Sequence, residues 1–448
     1  MKKEQFNKAL DLLVRSDCIR NDGQGSVFGY DEKSGVWNRL DSLHARQFME
    51  RILAPHSFHA NTAELKEIYQ NVAERCDFIE EKLASDEART FVVCQNGVVN
   101  LMDGNIIPSD KTGYYKRSLN FNYSKDAKIQ GNSETYKYLQ TLLGVTGKLE
   151  DSPKFKLLLQ IILYGIADLK NAKKAVILLG PAGIGKSILL SLIEKLVGDC
   201  YCTWLTWGEL SKEDHVSLIK NKTLILSDEM PCTPLRHLDR IKSIISGNPI
   251  VLNKKYGEIG DYRPHVKLIS AANNMPSLGE PDVKGAFAER LLVLPLGKVP
   301  SEDKDPDLLD KLWKEKDQLF SMALSVAPEF IRNNLKFYED AEGVRICEQF
   351  SREGFSISAY IEAGYHDDPN GRVCLQEFYD GYVKFCEDGF LNGVTKTEFK
   401  SQLIQLGYDF KKARDKEYYS SVSSVSCVIG ISRGKDESCQ SKVTSQQK

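Results

Sequence analysis

Nowhere in the 448-residue sequence is there an apolar run approaching the roughly 20 residues that a membrane-spanning helix requires. The N-terminus, Met1-Lys2-Lys3-Glu4-Gln5-Phe6, also lacks the apolar core of a secretion signal. These two absences predict a cytoplasmic chain with no membrane partner. No Cys-x-x-Cys pair occurs among the eleven cysteines, the nearest two being Cys200 and Cys202. Scattered cysteines in odd number, without a secretion signal, read as free thiols in a reducing compartment rather than as disulfides or a structural zinc site. An excess of positive charge is missing too: 60 basic residues face 62 acidic ones, for a net charge of −2. A protein that coats nucleic acid by charge alone would be distinctly basic, so any such contact has to come from local loops. No internal repeat is visible.

What the chain does contain is 42% hydrophobic and 27% charged residues, the composition of a soluble globular protein. Its length predicts about three domains. Residues 1–130 read as an α+β unit. Phe28-Gly29-Tyr30 and Gly35-Val36-Trp37 flank a polar turn, a helix is expected from Leu43 to Leu53, and Asn96-Gly97 and Asp103-Gly104 are tight-turn dipeptides between short apolar runs. The polar stretch from Asn122 to Asn132 marks a boundary. Residues 131–340 alternate apolar strands with helices, the pattern of an α/β layered domain. Strands are expected at Ala175–Leu179, Thr223–Ser227, Val266–Ala271 and Leu291–Leu296, each short and continuously apolar, as strands buried on both faces should be. A helical region follows from Leu308 to Asn334. Residues 341–372 read as a connecting segment and 373–433 as a third unit. There Leu375, Phe378, Tyr379, Tyr382 and Phe385 recur at helical spacing. A second helix from Lys396 stops at Gly407, followed by a basic turn (Lys411, Lys412, Arg414, Lys416) and a closing strand, Ser426–Ile431. Residues 434–448 are polar, and disorder is expected.

The chemistry concentrates in the middle unit. Gly180-Pro181-Ala182-Gly183-Ile184-Gly185-Lys186-Ser187 fits the phosphate-binding loop pattern between an expected strand and a helix, Ser187 to Leu196. Its glycines let the backbone curl around a phosphate with unobstructed N–H groups. Lys186 places a charge on the β- and γ-phosphates of ATP, the Ser187 hydroxyl is a Mg²⁺ ligand, and the helix directs its positive end at the anion. About 40 residues on, Thr223-Leu224-Ile225-Leu226 runs into Ser227-Asp228-Glu229. An apolar strand ending in two acids supplies a metal ligand, Asp228, and a group to polarise the attacking water, Glu229. Asn273, after the next strand, is placed to reach the γ-phosphate or the lytic water; a turn initiated by Asn273-Asn274 before Pro276 is the plainer alternative. Arg290, just before the last strand, reads as an arginine finger for another subunit's ATP or as a surface ion pair.

These four elements, in this order and spacing, resemble superfamily 3 helicases, in the branch of phage, plasmid and poxvirus primase-helicases. Leu238 to Ile250, with Ser246-Gly247-Asn248, looks like that family's Lys…Ser-Gly-Asp-x-Ile stretch and precedes Lys254-Lys255-Tyr256. In the family this region is a hairpin whose basic tip grips DNA in a ring channel. Two lysines beside an aromatic ring do offer phosphate contact and stacking. Asn96 to Pro108, with Lys116-Arg117 and Tyr123, resembles the domain preceding the motor, and 373–433 resembles the closing winged helix. Two departures stand out: Ile184 where many relatives have Asn, and Glu289-Arg290 where they carry an arginine pair.

The resemblance implies an AAA+-like P-loop NTPase core, an α+β N-terminal domain and a C-terminal winged helix, in which Lys411, Lys412 and Arg414 contact DNA. It implies a homo-hexameric, ATP- and Mg²⁺-dependent DNA helicase of 3′→5′ polarity that binds single-stranded and forked DNA and unwinds duplex in replication of a phage, plasmid or mobile element. A separate primase or polymerase would be a partner, because the primase half of longer relatives has no counterpart here. Two other readings compete: an origin-binding initiator in which ATP drives assembly, and a P-loop ATPase that remodels protein.

Overall fold

The computed structural model describes residues 3–21, 27–40, 42–58, 60–75, 90–109, 111, 115, 117–169, 172–212, 215, 217–220, 222–230, 235–252, 260–276, 278, 282, 285–297, 305–354, 356–388, 393–414 and 424–434. Three helices, α1 (Lys3–Val14), α2 (Ser42–Leu53) and α3 (Thr62–Arg75), pack with a sheet of β1 (Ile19–Asn21), β2 (Val27–Asp31) and β3 (Val36–Leu40). Ala9, Leu10 and Leu13 meet Ala45, Met49, Leu53, Ile68 and Val72 in one apolar core. β2 and β3 form the expected hairpin, Asp31 opposite Val36. Both expected tight turns form, the first one residue early. Gln95-Asn96 joins β4 (Phe91–Cys94) to β5 (Gly97–Asn100), and Asp103-Gly104 lies in the turn from β5 to β6 (Ile106–Ile107).

The middle of the chain builds one five-stranded, all-parallel sheet in the order β13-β7-β12-β9-β8. Its strands are β7 (Ala175–Leu179), β8 (Cys202–Trp204), β9 (Leu224–Ser227), β12 (Lys267–Ala272) and β13 (Leu291–Pro295). Four match the expected strands to within a residue. The fifth, β8, was not expected: at three residues, with Thr203 and Trp204 only partly covered, it has no apolar run to announce it. Alternation along each strand splits the core in two. Val176, Leu178, Leu226, Ile269 and Leu294 join one apolar cluster, while Ala175, Ile177, Ile225, Leu268 and Val293 join the other. The first face is covered by α4 (Glu134–Leu143), α5 (Pro153–Ile166) and α6 (Lys186–Val197); the second holds Trp207 and Leu210 of the single turn α7 (Trp207–Leu210) and Ile241, Ile244 and Ile245 of α8 (Leu238–Ser246). Between α8 and β12 a two-stranded antiparallel ribbon stands apart from the sheet, β10 (Ile250–Leu252) on β11 (Gly260–Tyr262).

The expected helical region resolves into α9 (Leu308–Lys314), α10 (Lys316–Ser325) and α11 (Ala327–Arg332). Beyond it, α12 (Ala341–Gly354) brings Ile346, Cys347 and Phe350 to the second apolar cluster, so the start of the connecting segment is packed against the sheet. The C-terminal sheet also starts earlier than position 373. Its order is β14-β16-β15, and β14 spans Tyr365–Cys374, with β15 at Asp409–Arg414 and β16 at Ser424–Arg433. Asp368-Pro369-Asn370-Gly371, placed in the connecting segment, lies at a register shift between Asp367 and Arg372 within the strand. Helices α13 (Ser356–Gly364), α14 (Leu375–Asp388) and α15 (Lys396–Gln405) cover this sheet through Ile357, Phe378, Tyr382, Phe399 and Leu403. Gly434 donates its N–H to Gly364 O; residues 435–448 lie outside the described residues. Among the described residues no helix is long and apolar enough to cross a membrane.

Candidate active site

Ligands of open parallel sheets bind beyond the carboxyl ends of the strands, and here three such ends converge. β7 leads into residues 180–187, β9 into Asp228 and Glu229, and β12 into Asn273. Gly183 (φ 82°) and Gly185 (φ 99°) supply the left-handed backbone that turns the loop. The Gly180 N–H donates to Ala272 O at 3.0 Å, which pins the loop to β12.

Lys186 is almost wholly covered, and its ammonium donates to Gly180 O and Pro181 O at 2.7 Å each and to Asn273 Oδ1 at 2.8 Å. Burial pushes its pKa below the ordinary lysine value, with the Asp228 carboxylate opposing. The Ser187 hydroxyl donates to Asp228 Oδ1 at 2.7 Å, so the two groups proposed for a divalent cation already touch. Hydroxyl plus carboxylate is an oxygen donor pair suited to Mg²⁺, which keeps most of its own water. The Ser227 hydroxyl bonds Glu229 O at 3.2 Å and so braces the acid pair's backbone. A cavity of about 480 Å³ brings together Ala182–Ser187, Asp228, Glu229 and Asn273. Gly180 and Pro181 do not line it and serve as acceptors of the lysine.

Part of this cavity was not read from the sequence. Glu134, Lys137, Tyr138 and Thr141 of α4, with Asp305 and Leu308, form the rest of its wall. The Tyr138 hydroxyl donates to Gly185 O at 3.0 Å, and burial raises its pKa far above the ordinary tyrosine range. A Cβ built on Gly185 would stand 3.0 Å from the Tyr138 ring. Neither α4 nor its contact with a loop 47 positions on was read from the sequence.

Arg290 lies elsewhere. It immediately precedes β13, whose Leu291 pairs with Ala175, whereas the phosphate loop follows Leu179 at the other end of β7. The separation is about 17 Å at strand rise, beyond the reach of an arginine side chain. Arg290 Nε donates to Ser246 Oγ at 2.9 Å and Nη1 to Ala286 O. The Lys174 ammonium clamps the same turn, donating to Glu289 O and to Leu291 O, the latter at 3.3 Å; burial lowers the Lys174 pKa. No ion pair holds Arg290 among these contacts.

Of the residues suggested for DNA contact, Lys254, Lys255 and Tyr256 lie outside the described residues, bracketed by the antiparallel β10–β11 ribbon. Lys411 and Lys412 are exposed on β15, opposite Cys427 and Ser426 of β16. Arg414 ends β15 opposite Ser424.

Residues 178–288 match a family described as one of unknown function (DUF5906), and residues 11–162 match the family described as "D5 N terminal like". The first match contains Lys186, Asp228 and Asn273 and stops two residues before Arg290. No curated protein matches the chain. Among solved structures, the A form apo structure of the NrS-1 C terminal region (305-718) is similar, with 12% identity and a TM-score of 0.47. It matches over 92% of this chain and 96% of that one. The apo structure of the same region has 10% identity and a TM-score of 0.47, over 96% of this chain and 100% of that one.

Proposed function

We propose that the chain is an ATP-hydrolysing motor that moves on DNA during replication, a ring-forming helicase of the phage and plasmid type. The observation that carries the nucleotide half is the joining of Lys186 to Asn273 and of Ser187 to Asp228 around a single cavity. Residues 180–187 would cradle the phosphates, with Lys186 exchanging its carbonyl partners for phosphate oxygens. Mg²⁺, held by Ser187 Oγ and by Asp228 through water, would offset charge on the β- and γ-phosphates. Glu229 orients the attacking water, and Asn273 senses the γ-phosphate from the neighbouring strand. The sheet order supports an AAA+-like core, since in order along the chain its strands lie fifth, first, fourth, third, second. The α13-β14-α14-α15-β15-β16 sequence with sheet order β14-β16-β15 supports a winged helix. In this reading residues 1–130 precede the motor, 131–340 are the motor, and 373–433, extended back through α13 and β14, are the winged unit.

DNA enters the proposal through the resemblance and through the ribbon bracketing Lys254-Lys255-Tyr256. The test is ATP hydrolysis and fork unwinding, with and without single-stranded DNA, beside Lys186→Ala. Stimulated hydrolysis with unwinding, both lost in the variant, is expected. Hydrolysis indifferent to DNA with no unwinding would sink the proposal. The exposed Lys411 and Lys412 beside a winged-helix topology favour a second reading, an origin-binding initiator that needs ATP only to assemble. Glu229→Gln separates them, because an initiator supports origin replication without hydrolysis and a motor does not.

A further inference from the structure

We propose that Ser246 is a positioning residue that ties Arg290 to the root of the β10–β11 ribbon, so that the arginine's engagement with a neighbouring copy's nucleotide is felt at the ribbon. The inference rests on the motor reading above and adds the link through which its two halves communicate. Two anchors hold Arg290, and they belong to different elements. Its backbone is fixed from the residue before β7, Lys174, whose ammonium bonds the carbonyls on either side, Glu289 O and Leu291 O. Its side chain is fixed from α8, where Ser246 Oγ accepts from Nε at 2.9 Å. Ser246 is the last residue of α8, and β10 begins four positions later.

The connection between them is short and stiff. Gly247 closes the helix in the left-handed region (φ 70°), its N–H bonded to Ile244 O, and Asn248 N–H bonds Ser243 O at 2.9 Å. Pro249 has a fixed φ, and Ile250 is already paired with Tyr262. On the far side, the Tyr262 hydroxyl donates to Ile219 O. A displacement of Ser246 therefore has no slack loop in which to dissipate before the ribbon.

Arg290 lies at the opposite end of the β13–β7 pair from residues 180–187 of its own chain, so any phosphate it reaches belongs to another copy. A side-on bidentate contact there, through Nε and Nη2, would take the Nε–H away from Ser246. The hydrogen bond to Ser246 is then made or strained according to what the next site holds. A two-arrangement contact of this kind can carry a coupling of about 5–150-fold between sites.

The test uses the full chain and four proteins: wild type, Ser246→Ala, Ser246→Thr and Arg290→Ala. Three quantities are read: hydrolysis without DNA, its stimulation by single-stranded DNA, and base pairs unwound per ATP. Ser246→Ala is expected to keep DNA-free hydrolysis within about twofold while stimulation and unwinding per ATP fall at least about fivefold. Ser246→Thr retains the hydroxyl and is expected to restore both, which a loss of packing at this position would not predict. Arg290→Ala is expected to lose hydrolysis itself by about 10³-fold or more. A wild type stimulated by DNA alongside an equally stimulated, equally coupled Ser246→Ala overturns this inference alone. A wild type whose hydrolysis ignores DNA overturns the motor reading and this inference together.

Discussion

Lys186 is held, before any nucleotide arrives, by three oxygens of its own chain, two of them loop carbonyls. Burial lowers its pKa, so the charge that a triphosphate needs is lost at a lower pH than for an ordinary lysine. The sign follows directly. In the proposed reading ATP binds the protonated form, so its affinity is expected to fall as pH rises through the depressed value, below the usual 10.5. Titration calorimetry from pH 7 to alkaline pH checks it; a lysine-dependent affinity that rises with pH contradicts it. Gly185 sits at φ 99° with the Tyr138 ring where a side chain would begin. Gly185→Ala is expected to cost about 1–2 kcal/mol in backbone conformation alone and to weaken ATP binding about tenfold, measurable by equilibrium dialysis. The glycines, lysine and acids of this site were legible because their chemistry is fixed by spacing along the chain. Tyr138, Lys174 and Ser246 were not, since each acts through a partner 44 to 115 positions away and carries no local motif.

At the scale of elements, strands buried on both faces announced themselves and short or interrupted ones did not. β7 is a continuous apolar run, and β9 and β12 are mostly apolar and wholly buried, whereas β14 hides behind Pro369-Asn370-Gly371. The packing between elements was invisible in the same way. Trp207 of α7 is fully buried, donates its indole N–H to Ser270 Oγ of β12 at 2.6 Å, and meets the Phe287 ring edge-on at 5.7 Å. Phe287 in turn touches Phe350 of α12. One side chain thus joins the strand that delivers Asn273 to the turn that delivers Arg290. Trp207→Phe removes the donor and strands a buried hydroxyl, at an expected cost of about 1–3 kcal/mol. A lowered midpoint of chemical denaturation is the check; an unchanged midpoint would mean that Ser270 finds another partner.

At the scale of the whole molecule, one strand would set the geometry of the proposed assembly. β7 carries the phosphate loop at one end and, through Lys174 and the β13 pairing, Arg290 at the other. In the proposed ring, where Arg290 acts on a neighbour, Lys186→Ala and Arg290→Ala would damage opposite ends of the subunit. Each variant is expected to be inactive alone. Equal mixtures, co-assembled, are expected to regain about a quarter of wild-type hydrolysis, because random placement in a head-to-tail array completes one interface in four. Mixtures as inactive as their components would place Arg290 outside the nucleotide site. The strand also gives the subunit a direction, like an arrow with a socket at the tail and a key at the head. Two arrows related by a two-fold axis set key against key or socket against socket, and neither arrangement completes a site. Copies that all point one way complete every site but the last, and only a closed circuit leaves none unfinished.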